Sequence, residues 1–360
     1  MRTGFLAFFL FVSLLIFGCA IQNQTVVKQD RIFLPTDKNI RFVGRIDFRD
    51  PLWPRFYQPG IYFEAIFKGK DCRIIVRDQQ LWGQNQNYLQ VVVDGESRRI
   101  QTTGAIDTIE VASGLPEGRH TLLVCKDTEA NIGWLELGGI ICNKLLSLPP
   151  PPRHKIEFIG NSITCGASAD LSGIPCGGGK WHDQHNAYLS YGPVTARALK
   201  ADWHLSSVSG IGLIHSCCNL DVLMPQVYDN IDMRGDSLAW NFKNYQPDVV
   251  TICLGQNDGI QDADTFCNAY VAFIEKLRFY YPTAQIICLN SPMADESLKA
   301  DMKKNLSRVV KTMHDKGDLK VDHFFFSGQF NSGCDYHPDI KEHAQIAEAL
   351  SSLLKAKMNW

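Results

Sequence analysis

The sequence predicts a two-part chain: an all-β sandwich followed by a doubly wound, three-layer α/β/α domain on a parallel sheet. Three observations predict it. Residues 39–148 hold short runs that alternate apolar with polar side chains, without a long helical pattern among them. That is the pattern of half-buried antiparallel strands. From residue 155 onward, continuous apolar runs alternate with segments of helical spacing, as in βα units around a sheet buried on both faces. Between the two stands Pro149-Pro150-Pro151-Pro152, a stiff spacer.

The 360 residues are 45% hydrophobic and 21% charged, with a formal net charge of −2. That length and composition suffice for two cores. Lysines and arginines are scattered, without a basic run, so no nucleic-acid partner is expected.

The chain opens with Met1-Arg2 and the apolar run GFLAFFLFVSLLIFGCA. The run is too short for a membrane span and has the form of an export signal. Its end, Ile16-Phe17-Gly18-Cys19, resembles a bacterial lipobox, in which the cysteine becomes the lipid-bearing N-terminus; Phe17 is bulkier than the usual residue there. An ordinary secretory signal is the alternative. The expected organisation is a lipoprotein signal at 1–19, a polar tether at 20–38, the sandwich at 39–148, a proline-rich linker at 149–154 and the α/β domain at 155–360. Cys19 would anchor the protein to a membrane, in the periplasm or at the cell surface.

The sandwich strands read in order as IRFVGRIDF, GIYFEAIFKG, CRIIVRD, YLQVVVDGE, DTIEVA, HTLLVCKD and GWLELGGIIC, separated by Gly, Asp and Asn turns. In the second domain, strands are expected at 156–159, 203–208, 249–254, 284–289 and 321–326. Helices are expected at 187–200, 263–280 and 298–315. A last helix follows Pro338, with Ile340, Ala344, Ala347, Leu350 and Leu354 along one face.

In such sheets, sites form beyond the carboxyl ends of the strands. Ser162 lies just past the first expected strand, in KIEFIGNSITCG; Gly210 lies past the second and Asn257 past the third. His337 stands in the loop before the last helix. A serine in such a turn is ordinarily a helix cap, but four distant segments converge here on one sheet edge. A serine hydroxyl needs a base within hydrogen-bond reach to act as a nucleophile, and His337 is the candidate. Acyl transfer also needs donors for the developing oxyanion. The backbone N–H groups of Ser162 and Gly210 and the side-chain amide of Asn257 are the three candidates.

These blocks resemble the SGNH (GDSL-like) hydrolases, the letters standing for Ser162, Gly210, Asn257 and His337. The resemblance is closest to carbohydrate esterase family 2, through KDTEANIGW, IEFIGNSITCG, NAYLSYGPVTARAL and PDVVTICLGQND in order. It implies a jelly-roll front domain and a metal-free, cofactor-free serine esterase acting on O-acetyl groups of hemicellulose such as xylan or glucomannan. Two departures stand out. Asn161 replaces the aspartate of the usual Gly-Asp-Ser block. The aspartate usually found three residues before the histidine is here Cys334, with Asp335 one step nearer. Asp335 is a candidate to orient His337, and the resemblance implies a backbone carbonyl as the alternative.

Trp181, Trp240 and Tyr336 are candidates to stack on a sugar ring, with core or lid packing as the alternative for each. Asp258 reads as a loop or capping residue, His343 as packing on the last helix, and Lys126 and Glu129 as structural. His182-x-x-His185 lacks further ligands at metal-site spacing. With Cys19 set aside, the twelve cysteines leave an odd number. Cys125, Cys142, Cys253 and Cys288 fall in apolar runs as core residues, and Cys165 and Cys176 are a possible pair. Two other functions fit less well. A lipase or thioesterase needs an apolar acyl tunnel, whereas 168–180 is small, glycine-rich and polar. A non-catalytic glycan-binding lipoprotein would not need all four catalytic residue types.

Overall fold

The computed structural model describes Met1 and residues 30–235 and 238–360. The expected signal segment, Cys19 and residues 20–29 of the expected tether lie outside the described residues. Among the described residues no helix is long and apolar enough to cross a membrane.

Residues 31–146 form ten antiparallel strands. Their spine is the 17-residue strand Tyr62–Asp78. Along one side it pairs with Ile40–Val43 and then, from Ile66 onward, with Leu135–Leu146; along the other it pairs with Arg119–Lys126 and then, from Cys72 onward, with Ile106–Ala112. The change of partners carries one strand through both layers of the sandwich. Phe63, Phe67, Ile74, Val91, Leu122, Leu137 and Ile140 fill the space between the layers. The sheet starts earlier than expected: Arg31–Phe33, read as tether, pairs with Leu135–Leu146. Three residues, two of them exposed, carry too little alternation to register as a strand.

The second domain holds five parallel strands: His154–Gly160, Ala201–Ser207, Val249–Cys253, Gln285–Leu289 and Val321–Phe324. They stand in the order second, first, third, fourth, fifth. Ile156, Phe158, Val249, Ile252, Ile286 and Ile287 are completely buried, because helices cover both faces. Tyr191–Ala198 packs against Ile340–Met358, and Ala263–Tyr280 packs against Glu296–Asp315. All five strands and these four helices are legible from the apolar spacing; the short helices Ser162–Cys165 and Met224–Val227 are not. The helix expected from 187 begins at Tyr191. Residues 186–190 are instead held in a turn, where Leu189 N–H donates to Asn186 Oδ1 (3.0 Å) and Ala187 N–H to Asp127 O (3.1 Å).

The sandwich and the α/β domain share a buried seam. Tyr62 stacks on Trp203 with ring centroids 4.0 Å apart, and Trp203 Nε1 donates to Gly60 O at 2.9 Å. Arg45 of the sandwich is buried against Glu157 of the first parallel strand, Nη2 to Oε1 2.9 Å. Glu157 also accepts from Ser206 Oγ (2.5 Å) and Tyr228 Oη (3.0 Å). Removing one partner of a buried ion pair leaves the other charge without compensation. Arg45→Met is therefore predicted to lower the unfolding free energy by about 3–5 kcal/mol in a denaturant titration. A loss below about 1 kcal/mol, as at an exposed pair, would contradict this reading of the seam.

Candidate active site

The first parallel strand ends at Gly160, where a Cβ would lie 2.0 Å from Thr164 Oγ1. A side chain at this position would have to displace Thr164. Asn161 then caps a four-residue helix, Ser162–Cys165, its side chain accepting from Ile163 N–H at 3.3 Å. An amide oxygen caps as a carboxylate would, which accounts for Asn161 serving in the place of the more usual aspartate. Ser162 opens this helix and is 8% exposed.

Ser162 Oγ lies 2.8 Å from Nε2 of His337. On the far side of the ring, His337 Nδ1 lies 3.0 Å from the backbone carbonyl oxygen of Asp335. A carbonyl only accepts, so Nδ1 carries the proton and Nε2 presents its lone pair to the serine. Of the two orienters expected from sequence, the geometry places the carbonyl on the ring. Asp335 is also one of the residues that line the cavity. Burial pushes the His337 imidazole below its ordinary 6.5, against the opposing effect of the Asp335 carbonyl bond.

The histidine loop is pinned rather than paired with a carboxylate. Cys334 is disulfide-bonded to Cys176, 158 residues away in sequence. Cys334 N–H donates to Ser168 O (3.0 Å), and Gly333 N–H to His337 O (2.7 Å). Asp335 and Tyr336 both take left-handed backbone conformations, φ 52° and 58°, which the pinned ends hold in place. The possible Cys165–Cys176 pair does not form. Cys165 is buried under the sheet, its Sγ 3.3 Å from Ser207 Oγ.

The order second-first-third makes the loops that follow these three strands neighbours. Ser162, Gly210 and Asn257 consequently line one cavity of about 540 Å³, together with His337 and Trp181. Asn257 Nδ2 donates to Ile211 O at 2.8 Å, which fixes the amide against the Gly210 loop. Asp258 is buried and accepts from the N–H groups of Leu213, Ile214 and His215 at 2.7–3.0 Å. It organises that loop. His343 is buried on the last helix, accepting from Tyr191 N–H at 3.2 Å, and burial lowers its pKa to about 3.

Of the three aromatic candidates, Trp181 is 43% exposed and lines the cavity. Tyr336 is 77% exposed, next to His337 but outside the cavity lining. Trp240 is a correction: it is buried in the core beside His204, its ring under the Arg45 guanidinium. It is not among the residues that line the cavity. No group of metal-ligating side chains occurs among the described residues. His185 lies completely buried, 3.6 Å from Glu129 Oε1.

Glu129 does more than its structural reading from sequence implies. It comes from the sandwich, is completely buried, and accepts the N–H of Ser209 at 2.8 Å. Burial pushes its carboxyl up, but the His185 ring 3.6 Å away and the N–H bond from Ser209 outweigh that and hold it below the usual carboxylate range. Lys126 secures the same segment, Nζ donating to the carbonyls of Thr128 (2.5 Å) and Glu129 (3.2 Å). KDTEANIGW is one of the blocks that carry the resemblance, but nothing local in it shows that Glu129 meets Ser209; only the docking of the two domains brings them together.

A serine and histidine in hydrogen-bond contact at the carboxyl edge of such a sheet, beside two loops that offer amide donors, define an SGNH-type ester hydrolase. Comparisons with known proteins agree. The carbohydrate esterase 2 N-terminal family model matches residues 42–152, and the GDSL-like lipase/acylhydrolase family model matches residues 158–343. The chain belongs to the GDSL-like lipase/acylhydrolase family and carries the carbohydrate esterase 2 N-terminal domain. It is 33% identical over 337 residues to the cellulase/esterase CelE of Acetivibrio thermocellus, which covers 89% of this chain and 40% of that protein. It is 27% identical over 349 residues to an acetylxylan esterase/glucomannan deacetylase of Cellvibrio japonicus, covering 94% of each. A solved family two carbohydrate esterase from Clostridium thermocellum, in complex with cellohexaose, superposes with TM-score 0.82 at 32% identity. That match covers 89% of this chain and 99% of the other.

Proposed function

We propose that the protein removes O-acetyl groups from plant cell-wall polysaccharide of the xylan or glucomannan type, through an acetyl-enzyme on Ser162. The carrying observation is the Ser162–His337 contact at 2.8 Å, with the far ring nitrogen on a carbonyl. In this reading His337 takes the hydroxyl proton as Ser162 attacks the acetyl carbon. The N–H groups of Ser162 and Gly210 and the Asn257 amide stabilise the oxyanion. The protonated His337 then delivers its proton to the departing sugar oxygen, and water repeats the sequence to release acetate. Trp181 at the cavity mouth offers a face for the sugar ring. The relative named acetylxylan esterase/glucomannan deacetylase, matched over 94% of its length, supports the substrate class.

The test is acetate release from acetylated xylan and acetylated glucomannan, beside hydrolysis of 4-nitrophenyl acetate and a long-chain ester. Acetate from either polymer with little long-chain turnover is expected. Preference for the long chain would replace this reading with a lipase-like one.

The lowered pKa of His337 fixes the sign of the pH dependence. A base whose pKa lies below 6.5 stays neutral to lower pH, so kcat/KM is predicted to keep its plateau through neutrality. It falls with one-proton slope only below about pH 6.5. Asp335→Asn keeps the carbonyl that holds Nδ1, and is predicted to change kcat only a few-fold; in a Ser-His-Asp triad the corresponding change costs about 10⁴-fold. A pH–rate profile of both proteins measures the two effects together, and a loss near that size would return the orienting role to the carboxylate.

We further propose that Cys19 is lipid-modified and anchors the protein in the periplasm or at the cell surface; the motif Ile16-Phe17-Gly18-Cys19 supports this. Metabolic labelling with a fatty acid is expected to mark the wild type and spare Cys19→Ala; equal labelling would refute it.

A further inference from the structure

Cys217 and Cys218 are neighbours in sequence and are joined by a disulfide, with Cα atoms 3.8 Å apart. Both line the catalytic cavity. A disulfide between adjacent residues closes a small ring that includes the peptide bond between them, and the chain around it is confined. Cys218 and the following Asn219 both take left-handed conformations, φ 62° and 60°, which L-residues other than glycine adopt rarely.

This ring sits against Gly210. Cys217 N–H donates to the Gly210 carbonyl at 2.9 Å. A Cβ on Gly210 would meet Cys217 Sγ and O, each at 3.4 Å. Gly210 has φ 82°, and a glycine can leave such a conformation at little cost. The direction of its N–H therefore depends on what holds the two flanking peptide units. On the upstream side, Ser209 N–H is held by Glu129 Oε2 at 2.8 Å. On the downstream side, the Gly210 carbonyl is held by the disulfide turn, which Leu220 N–H closes onto Cys217 O at 3.1 Å.

We propose that the Cys217–Cys218 disulfide is a positioning element for the reaction: with Glu129 it clamps the Gly210 peptide so that its N–H points at the developing oxyanion. The inference rests on the proposed esterase reading of this site. An N–H held in advance toward charge that appears only in the transition state acts on kcat, not on ground-state binding. Opening the ring frees the turn, and Gly210 then samples other orientations.

The test uses the full folded protein with Cys217→Ser/Cys218→Ser, which keeps size and polarity close while removing the bond. Activity is read on 4-nitrophenyl acetate, and affinity is read for an alkylboronic acid, which forms a tetrahedral adduct on the serine. The expected result is a kcat loss of about 10-fold or more with KM within about two-fold, and boronate inhibition weakened in parallel. A general structural defect would instead lower the melting temperature and raise KM without that parallel, which would overturn the positioning role. Unchanged kcat and unchanged boronate inhibition would overturn it too. So would peptide mapping that finds both thiols free in fully active wild type. Cys218→Ser alone serves as a second variant should the double one fail to fold, with the same expectation. Wild type that hydrolyses no ester would indict the esterase reading itself, a result distinct from an active wild type beside an equally active variant.

Discussion

Ser162→Ala is expected to lower kcat by roughly a million-fold, and His337→Ala by a similar factor, on both 4-nitrophenyl acetate and acetylated polymer. The two groups act as one unit. Oγ without a base is a weak nucleophile, and Nε2 without Oγ has no proton to take. The double substitution is accordingly expected to cost little more than either alone. Residual turnover above water reflects the amide donors, which both single variants retain. A loss of only ten-fold in Ser162→Ala would mean that another group attacks the ester.

Asn257→Ala is expected to lower kcat by about 10²–10³-fold, equivalent to about 2.7–4 kcal/mol of lost oxyanion stabilisation, with KM little changed. The side chain is well placed for this role because one amide proton is already committed to Ile211 O at 2.8 Å. That bond fixes the plane of the amide, so the second N–H is aimed without further ordering. A change confined to KM would make Asn257 a substrate-binding residue. A drop in stability without a change in kcat would make it a loop fastener like Asp258.

Much of this site is legible in the amino-acid sequence. Ser162, Gly210 and Asn257 each follow an apolar run that must be a buried strand, and the chemistry of their types points to one reaction. What the one-dimensional pattern cannot hold is the strand order. The second-first-third arrangement makes those three loops adjacent, and neither composition nor spacing encodes it. The sequence also leaves open what orients His337. The answer lies in a backbone conformation, the left-handed turn at Asp335 and Tyr336, and not in a side chain that a motif could record.

Trp240, Glu129 and the cysteine pairing differ from their sequence reading for one physical reason. Trp240 reads as a sugar-stacking candidate because an aromatic in a loop region resembles a binding residue; its burial with His204 and Arg45 depends on the sandwich docking onto the sheet. Glu129 reads as merely structural for the same reason in reverse. Cys165 and Cys176 are close in sequence, yet Cys165 turns inward with the helix of Ser162 while Cys176 reaches Cys334. Each concerns a contact between segments far apart in the chain, where local periodicity carries no information.

In the proposed reaction Ser162, activated by a histidine that rests on a main-chain carbonyl, is the group that attacks the ester. Stoichiometric labelling with a fluorophosphonate, followed by peptide mapping, tests it most directly. One label per chain is expected, located on Ser162, with acetate release lost in proportion to labelling and labelling slowed strongly in His337→Ala. A label on any other residue, or full labelling of Ser162 that leaves acetate release intact, would contradict it.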